Sequence, residues 1–529
     1  MCTSRAVRFR IHCMIACLLF LGSAAASWAG TYTWNNTTGN WDDASKWSGG
    51  VIPGPGDTAI VNGGSASVPS AVAVDRLQFG GGTLTGSADL TVTVQLDWTA
   101  GTMSGTGQTI VGPGAILAIS GAGSKILNRT LLNGGQANWS NGTIGGDGFF
   151  HNQAGSTLTA QLTNNVRLNP SFGNDGRFVK TGSAEVAFGT YASRALTNSG
   201  SVAVQQGTLE LHTGSSTGDI TVAAGATLSM ESGTFDVSGP LTGAGKVSLN
   251  NPFTVTGDYD ISGETTVRGG TATFDDARTA AFGPLRHKSD VLNLAHPDAT
   301  VSGNMTRLAG TFEAGRGTVT FTGTSQTLVL ETPTTFHSVG VTTGTFLLEV
   351  VVDENALVGG AVTNYGTIRK TRSTVTASPI RFGLTGVAVS IQTTGTLSNI
   401  QVDRIGGNHP NATTQTATGQ HWRITPLDAG YTVSLTLPHT VVPHTRALVS
   451  RYTGTEWDSG RSASTANTVT RSGVTALSRS MPWGSRATWR ACGDSGATSD
   501  GGSGIRQANA PRWFYDPERG GYVLRFICS

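Results

Sequence analysis

The sequence is poor in charged residues and in cysteine. Asp, Glu, Lys and Arg make up 13% of its 529 residues, and the formal net charge is +2. Nucleic-acid binding requires a basic surface that neutralises phosphates, so we expect no nucleic acid as a partner. The five cysteines lie at positions 2, 13, 17, 492 and 528. The long stretch between positions 17 and 492 therefore depends on backbone pairing and packing rather than on disulfides.

Long hydrophobic runs are also missing, with one exception at the N-terminus. Three arginines precede the apolar run Cys13–Leu21, and small residues from Ala24 to Ala29 follow it. This order is typical of a secretory signal peptide, and the run is shorter than a bilayer-spanning helix. We therefore expect residues 1–29 to be a signal peptide, cleaved after Ala29 or, as a second choice, after Ala26. The mature chain is expected outside the cell or on its surface, without a transmembrane segment.

Cleavage would change both the charge and the cysteine count. Loss of Arg5, Arg8 and Arg10 takes the net charge from +2 to −1. Only Cys492 and Cys528 then remain, and an oxidising compartment would allow one disulfide between them.

Glycine, by contrast, is abundant, with 73 residues. It opens a recurring phrase in which a small residue or Thr and then an apolar residue begin an alternating run, for example at Gly155, Gly207 and Gly225. A second phrase, Asn-x-Gly, precedes alternating runs at Asn174 and Asn198. We interpret Gly and Asn in these phrases as the residues that supply positive φ at sharp turns between short strands.

These repeats predict an all-β chain. Each unit of about 20 residues supplies two or three short strands that cannot bury their apolar side alone, whereas stacked units bury a continuous core. We therefore expect a right-handed parallel β-solenoid, or β-helix, over residues 76–370. An array of antiparallel sandwiches would also suit such strands, although it should show more two-residue Asn-Gly or Asp-Gly turns.

The segment before the repeats, residues 30–75, is rich in tryptophan. Trp34, Trp41 and Trp47 fall within 14 residues. A solenoid end exposes strand edges and core, so we expect these indoles to cap the first coil. The alternative is an aromatic platform that binds carbohydrate. Asp57 stands before an apolar strand, where its carboxylate is expected to accept backbone N–H groups of a turn.

The run from Trp34 to Ile60, with its spaced Trp, Gly, Pro and Asp residues, also carries a resemblance. It resembles the opening of large bacterial secreted repeat proteins of the autotransporter-passenger and adhesin-like type. Residues 218–274 resemble the repeats of those proteins. The resemblance covers most of residues 31–370 and implies a β-helix at the cell surface or outside the cell.

Beyond residue 370 the coil-like phrases end and longer alternating runs begin. We predict an antiparallel β-sandwich over residues 371–478. Its strands are expected at residues 387–392, 422–425, 431–437, 447–452 and 467–471. The segments around His421, Tyr431, Arg451 and Trp457 resemble the C-terminal module of the same secreted repeat proteins. Residues 479–529 lose the alternation, and we interpret them as an irregular tail, either frame-altered or closed by the disulfide.

No set of residues typical of an enzyme stands out. The histidines are dispersed without a zinc-ligand spacing, and the nucleophile elbow, the phosphate loop and the calcium nonapeptide are missing. We therefore predict no catalytic residue, no metal and no cofactor.

Polysaccharide-degrading β-helix enzymes use paired carboxylates, or calcium, in a groove beside the coils. Asp42-Asp43 and Asp275-Asp276 are the densest acidic pairs, but neighbouring strand residues face opposite sides. Asp276 and Arg278 could share a face, most simply as a surface ion pair. The one candidate for a groove-building loop insertion is around residues 282–290.

The sequence thus predicts a non-enzymatic, structural, adhesin-like β-helix protein that makes multivalent contacts with glycans or cell-surface polymers. The candidate glycan contacts are Trp34, Trp41, Trp47 and Trp139, with burial in the core as the alternative for Trp139. The alternative function is an extracellular polysaccharide lyase or glycoside hydrolase of β-helix fold. The ligand and the oligomeric state stay open.

Export can be tested directly. When the chain is produced in a secreting bacterial host, we expect the exported protein to begin at residue 30, as read by N-terminal sequencing. Ala29→Phe should block this cleavage because signal peptidase sites require small residues, whereas Ala26→Phe serves as the control. Full-length chain confined to the cytoplasm would contradict the prediction.

Overall fold

The computed structural model describes residues 29–189, 194–275, 280–294, 298–350, 356–358, 362–373, 379–393, 395, 397–412, 419–426, 430–439, 441, 443–452, 457–475, 477, 488–493, 512–516 and 521–525. They belong to two compact units, Met1–His151 and Asn152–Ser529. Helix accounts for 3% of the structure, and the regular structure is otherwise β. The predicted signal peptide lies outside the described residues, apart from Ala29.

The strands that begin in the N-terminal unit are numbered β1 to β13 in chain order. Their bounds are Thr31–Thr33, Thr38–Asn40, Thr58–Ser67, Val72–Thr85, Leu90–Trp98, Gly101–Met103, Gln108–Val111, Ile116–Ile119, Lys125–Leu127, Thr130–Asn133, Gln136–Trp139, Ile144–Gly145 and Phe149–Asn152. Short 3-10 helices lie at Ala44–Lys46 and Ser48–Gly50. Successive coils pair in parallel, as β1 does with β3, β3 with β4, and β7 with β10.

The three N-terminal indoles pack against one another inside this unit. Trp34, Trp41 and Trp47 are 1%, 1% and 3% exposed. The ring centroid of Trp47 lies 5.1 Å from that of Trp34 and 4.7 Å from that of Trp41, both edge-on. Asp57 accepts hydrogen bonds from the amides of Gly30 and Gly54 at 2.9 Å each, which confirms its role in tying a turn.

The C-terminal unit begins with strands β14 to β45. Their bounds are Thr157–Gln161, Val166–Leu168, Ser171–Asn174, Arg177–Thr181, Glu185–Phe188, Leu196–Asn198, Ser201–Val204, Thr208–Leu211, Gly214–Ser216, Asp219–Val222, Thr227–Met230, Phe235–Val237, Leu241–Gly243, Lys246–Leu249, Phe253–Val255, Tyr259–Ile261, Thr265–Val267, Thr271–Phe274, Ala280–Phe282, Leu285–His287, Val291–Asn293, Asp298–Val301, Met305–Arg307, Thr311–Glu313, Thr318–Phe321, Ser325–Leu330, Thr334–Phe336, Ser338–Val341, Thr345–Val350, Ala356–Val358, Val362–Asn364 and Thr367–Ser373.

These strands form coils with three faces, because from β14 to β42 the strands pair in parallel with the third strand after them, except that β37 does not pair with β40. Face A contains β14, β17, β20, β23 and every third strand onward, face B contains β15, β18, β21 and β24, and face C contains β16, β19 and β22. On face A, Leu158, Phe178, Val202 and Ile220 stand in register in successive coils, and all four are buried.

The two units together contain about 14 solenoid turns, which confirms the parallel β-solenoid predicted from the repeats. The alternative of antiparallel sandwiches is wrong for this part of the chain. Parallel pairing prevails because each coil continues in one direction and places its strands above those of the preceding coil.

The two glycine phrases have different structural roles. Gly155 and Gly225 have φ of +81° and +82°, which confirms the prediction for the first phrase. The prediction is wrong for the Asn-x-Gly phrase, whose Gly200 does not have positive φ. A Cβ on Gly200 would lie 2.0 Å from the carbonyl oxygen of Gly176 in the preceding coil. Glycine is required there by the close approach of two backbones.

The asparagines of that phrase form a buried ladder at the end of face C. The Nδ2 of Asn152 donates to Oδ1 of Asn174 at 2.7 Å, and the Nδ2 of Asn174 donates to Oδ1 of Asn198 at 2.6 Å. Asn198 in turn donates to Oγ of Ser216 at 2.8 Å. All four side chains are at most 3% exposed, so each hydrogen bond satisfies groups that water does not reach.

Several buried cations are held by backbone carbonyl oxygens. The ammonium of Lys180 donates to the carbonyls of Thr181, Gly182 and Gln206 at 2.8–3.0 Å. Desolvation lowers the pKa of Lys180 to about 8. The other members of this group are Lys125, Arg129, Arg307 and Arg404. Each packs a long aliphatic stem inside the protein while its charged end satisfies backbone carbonyls; Arg404 does so from the antiparallel part and the others from the coils.

Antiparallel sheets follow the coils. Strands β46 to β57 are Ile380–Arg381, Ala388–Thr393, Asn399–Gly406, Gln420–Pro426, Thr432–Pro438, Ala447–Tyr452, Trp457–Gly460, Ala463–Ser464, Thr468–Val474, Thr488–Gly493, Arg512–Asp516 and Gly521–Arg525. Further 3-10 helices lie at Gly383–Thr385 and His444–Arg446. The transition occurs at β45, which pairs in parallel with β42 and antiparallel with β48.

Two of these sheets share one core, as the predicted sandwich requires. One contains β45, β48, β49, β55, β51 and β52, and the other contains β46, β47, β50, β54 and β53. Trp422 and Val449 of the first sheet and Leu435 and Val469 of the second belong to the same buried cluster. The tail is less irregular than expected, because β55 pairs with β49 and β51. Cys528 lies outside the described residues, so the disulfide stays a prediction.

The ladder should be essential to the stability of its coils. We expect Asn174→Val to lower the free energy of unfolding by about 1–3 kcal/mol, because it leaves the buried amides of Asn152 and Asn198 short of partners. Urea unfolding followed by circular dichroism measures this change. Thr197→Val, at an exposed position of β19, is the matched control. Equal midpoints for the two variants would contradict the role of the ladder.

Candidate functional site

The aromatic residues predicted to contact glycans are buried. Trp139 on β11 is fully buried, and its Nε1 donates to the carbonyl of Gly142 at 2.8 Å. Trp34, Trp41 and Trp47 lie in the cluster described above. A sugar ring stacks on an exposed aromatic face, which these four buried indoles do not offer. Their burial agrees with the cap expected of the three N-terminal tryptophans and with the core position given as the alternative for Trp139.

The acidic pairs considered from the sequence do not form a dyad among the described residues. Asp43 accepts hydrogen bonds from the amide and the hydroxyl of Ser45 at 3.0 and 2.6 Å, and these bonds lower the pKa of Asp43. Asp43 therefore caps a 3-10 helix. Asp276 and Arg278 lie outside the described residues, so the pairs that involve them stay predictions.

The prediction of a loop insertion around residues 282–290 is wrong. β32 and β33 pair in register with the neighbouring coils. The carboxylate of Asp290 accepts from the amide of Gly270 at 3.0 Å and so joins two coils. This stretch is therefore part of a regular coil instead of an inserted loop.

A shallow groove does cross the corner where face C turns into face A. It is formed by residues 155–157, 175–177, 199–201 and 217–219 and has a volume of about 580 Å³. We call it the corner groove. It crosses four successive coils, and three spacings of about 4.8 Å make it about 14 Å long.

The lining of the corner groove is polar. Asp175, Arg177 and Asp219 are exposed there. The hydroxyl of Ser199 donates to Asp175 at 2.6 Å. That of Ser156 donates to Oδ1 of Asn152 at 2.8 Å, which ties the groove to the buried ladder beneath it. The groove therefore presents carboxylates, a guanidinium and hydroxyls above the buried asparagine ladder.

A second polar site lies on the outer side of face B. The Nε2 of His212 lies 2.6 Å from Oε1 of Glu210, with side chains 12% and 17% exposed. On the other side of the ring, Nδ1 of His212 forms a short hydrogen bond with Oγ of Ser232, one coil later. Glu185, one coil earlier, is hydrogen-bonded to Glu210. A chain of four polar side chains thus crosses three coils, and we call it the face B relay.

The two glutamates of the relay have opposite pKa shifts. Hydrogen bonding to His212 lowers the pKa of Glu210, although burial opposes this shift. Burial raises the pKa of Glu185, and repulsion from Glu210 adds to it. Of the two carboxyl groups, Glu210 is therefore the one that ionises at lower pH, and Glu185 keeps its proton to higher pH. Because an ionised carboxylate only accepts, Nε2 of His212 is the donor to Glu210, and in the neutral ring Nδ1 is then an acceptor.

The face B relay was missed in the sequence analysis. Glu185 stands in register with Thr208, so Glu210 is its diagonal neighbour across the sheet. The three intervals of the asparagine ladder are 22, 24 and 18 residues, so no fixed spacing marks residues that meet. Aligning the buried positions of the alternating runs, such as Val186 with Leu209, would have brought these residues together.

A cluster of rings lies in the antiparallel part. His409, Tyr452 and Trp457 have centroids 5.0–5.2 Å apart, and all three are partly exposed. The indole of Trp457 donates to the carbonyl of Asn411 at 3.1 Å. This ring cluster offers aromatic surface of the kind that the buried tryptophans do not.

Comparison of the chain with family models, curated proteins and solved structures gave no match. Among the described residues, no group of three or more His, Cys, Asp or Glu side chains is placed to hold a metal ion. In the same part of the chain, no helix has the length and apolar character needed to cross a membrane.

The proton on Glu185 should make the stability of face B depend on pH. Its raised pKa means that the stabilisation is complete below the ordinary value of 4.5 and is lost as pH rises through the folded-state pKa. Glu185→Gln keeps a hydrogen-bond donor at every pH. We therefore expect the variant to match the wild type in urea unfolding near pH 4 and to unfold at higher urea near pH 8.

Glu313→Gln, at an exposed position of β37, is the control for loss of a carboxylate. The pairing of Glu185 with Glu210 would be refuted if Glu185→Gln were no more stable than the wild type near pH 8.

Proposed function

We propose that the chain is an exported structural protein with an adhesin-like role, and that its coils contact glycans of a cell surface or matrix. The corner groove is the observation that supports this best. Its carboxylates can accept from sugar hydroxyls, and Arg177 can donate to sugar oxygens. Two carboxylates beside one guanidinium favour a neutral glycan over a polyanion.

The construction of the groove also suits multivalent contact. Consecutive coils bring similar turns to one line, so a polymer could bind several turns at once. Each contact would be weak, but linked contacts raise the overall affinity. The ring cluster of His409, Tyr452 and Trp457 would be a second contact surface, where a sugar ring can stack on an aromatic face.

The export and the likeness to autotransporter-type passengers remain part of this proposal. They are supported by the order of basic, apolar and small residues before residue 30 and by the parallel coils that the resemblance implies.

The second candidate is a β-helix glycoside hydrolase or polysaccharide lyase, and the Glu185–Glu210 pair is the observation in its favour. The carboxyl groups of glycoside hydrolases stand about 5–9.5 Å apart so that the sugar or water fits between them. Glu185 and Glu210 are instead in hydrogen-bond contact. A lyase acting on acidic glycans would further have to overcome repulsion from Glu210 and the nearby Glu231. The pair therefore supports glycosidic cleavage weakly.

The proposal is tested by a glycan array and by affinity electrophoresis in neutral and acidic polysaccharides. We expect retention by a neutral glycan. Combining Arg177→Ala with Asp219→Ala should weaken it about tenfold or more, because each removes a charged hydrogen-bonding group. Arg268→Ala removes an exposed arginine away from the groove and is the matched control.

The outcomes separate the two candidates. Retention without new reducing or unsaturated ends supports the adhesin-like role. Release of such ends supports the enzyme instead, and equal binding by the groove variant and the Arg268 control would show that the corner groove is not the contact surface.

A further inference from the structure

We infer that Ser232, His212 and Glu210 form a nucleophilic site that hydrolyses esters, with acyl groups carried by a glycan as the substrate class. The arrangement itself is independent of glycan binding. Only the assignment of a glycan as the carrier of the ester rests on the proposed function.

The three side chains have the connections that an activated serine requires. A serine hydroxyl is a weak nucleophile unless a base accepts its proton and a third group orients that base. Here Oγ of Ser232 is hydrogen-bonded to Nδ1 of His212, and Nε2 of the same ring lies 2.6 Å from Oε1 of Glu210. The ring nitrogens have exchanged the roles they take in the Ser-His-Asp template, but the chain of contacts is the same.

The pKa shift of Glu210 supports the order in which Ser232, His212 and Glu210 are connected. The hydrogen bonds from His212 and Glu185 lower the pKa of Glu210, so its carboxylate is the acceptor at neutral pH. When Nε2 of the neutral ring donates to this carboxylate, the lone pair of Nδ1 is left to accept from the hydroxyl of Ser232. Glu210 does not reach the substrate and acts as a positioning residue, because it fixes the orientation and tautomer of the ring.

The exposure of Ser232 and the backbone amides beside it also agree with a nucleophilic site. Ser232 is exposed in the turn between β24 and β25, whereas His212 and Glu210 are largely buried behind it. Among the described residues, the backbone amides of Ser232 and Gly233 donate to no protein acceptor. Two amides beside the nucleophile are the donors that an oxyanion requires. The carboxylate of Glu231, next to the nucleophile in the chain, accepts hydrogen bonds from the hydroxyl of Ser229 and the amide of Asn250.

Gly233 contributes to the shape of the turn. It has φ of +78°, and a Cβ placed there would lie 2.1 Å from Oγ1 of Thr213. A side chain at this position would displace the turn that presents Ser232.

The reaction would proceed in two balanced steps. Oγ of Ser232 attacks the ester carbonyl carbon while its proton passes to Nδ1 of His212, and the ester C–O bond breaks as the leaving alcohol takes that proton. A water molecule then attacks the acyl-serine, gives its proton to Nδ1, and releases the carboxylic acid as Ser232 regains the proton. No electrons are transferred, and water is the only co-reactant.

The purified full chain tests this inference with p-nitrophenyl acetate, an O-acetylated polysaccharide and a fluorophosphonate probe. We expect turnover of the first, acetate release from the second, and mass-spectrometric detection of the probe on Ser232. Ser232→Ala should abolish labelling, and His212→Asn should lower kcat by about 10²-fold or more. Glu210→Gln should lower kcat with little change in KM.

Ser262→Ala is the matched control, because Ser262 is also an exposed turn serine, lies outside the corner groove, and donates to the carbonyl of Gly243 instead of to a histidine. Circular dichroism confirms that each variant is folded. Unchanged turnover by Ser232→Ala, or labelling of another serine, would overturn the inference. Turnover of p-nitrophenyl acetate by a chain that binds no glycan would leave the site in place and remove only the glycan substrate.

Discussion

Parallel hydrogen bonding between each strand and the strand one coil later is the interaction on which this structure depends. The chain has few charges to pair and no disulfide between residues 17 and 492, so its order comes from repeated backbone contact and from the side chains that contact buries. A strand in the coils is held in register by its partner one coil earlier, and it holds its partner one coil later in the same way. The position of a side chain on an outer face is therefore determined by the paired strands in the coils on either side.

Close stacking also explains the polar groups inside the coils. Corners leave carbonyls and amides that neighbouring strands cannot satisfy, and burying them without partners would cost stability. The asparagine ladder supplies hydrogen-bond partners at the end of face C, and the buried lysines and arginines supply donors to backbone carbonyls elsewhere. Lys180 is an example of the cost, since desolvation lowers its pKa to about 8 although three carbonyls surround it.

Much of the fold could be predicted from the sequence because strand periodicity and turn glycines are local signals. Gly155 and Gly225 marked turns, and the alternation around Leu209 marked a strand. The role of Asn174 could not be inferred in the same way, because its side chain is satisfied by residues in the coils on either side. The face B relay was missed for a related reason: Glu185, Glu210 and Ser232 meet only after coils of unequal length are stacked. For Trp139 the sequence allowed either contact with a glycan or burial in the core, and its side chain fills the core.

The unequal intervals of the ladder have a consequence for how such a chain can change over evolutionary time. Coils of 22, 24 and 18 residues keep the same ladder contacts, so the extra residues are taken up at corners while the strands stay in register. Insertions and deletions at corners should therefore be tolerated far more readily than those within strands, where one residue reverses inside and outside. Diversity in length can accumulate at the corners, which are also where the corner groove and the turn of Ser232 lie. Insertions and deletions at the corners can in this way change the binding surface while the buried core of the coils is kept.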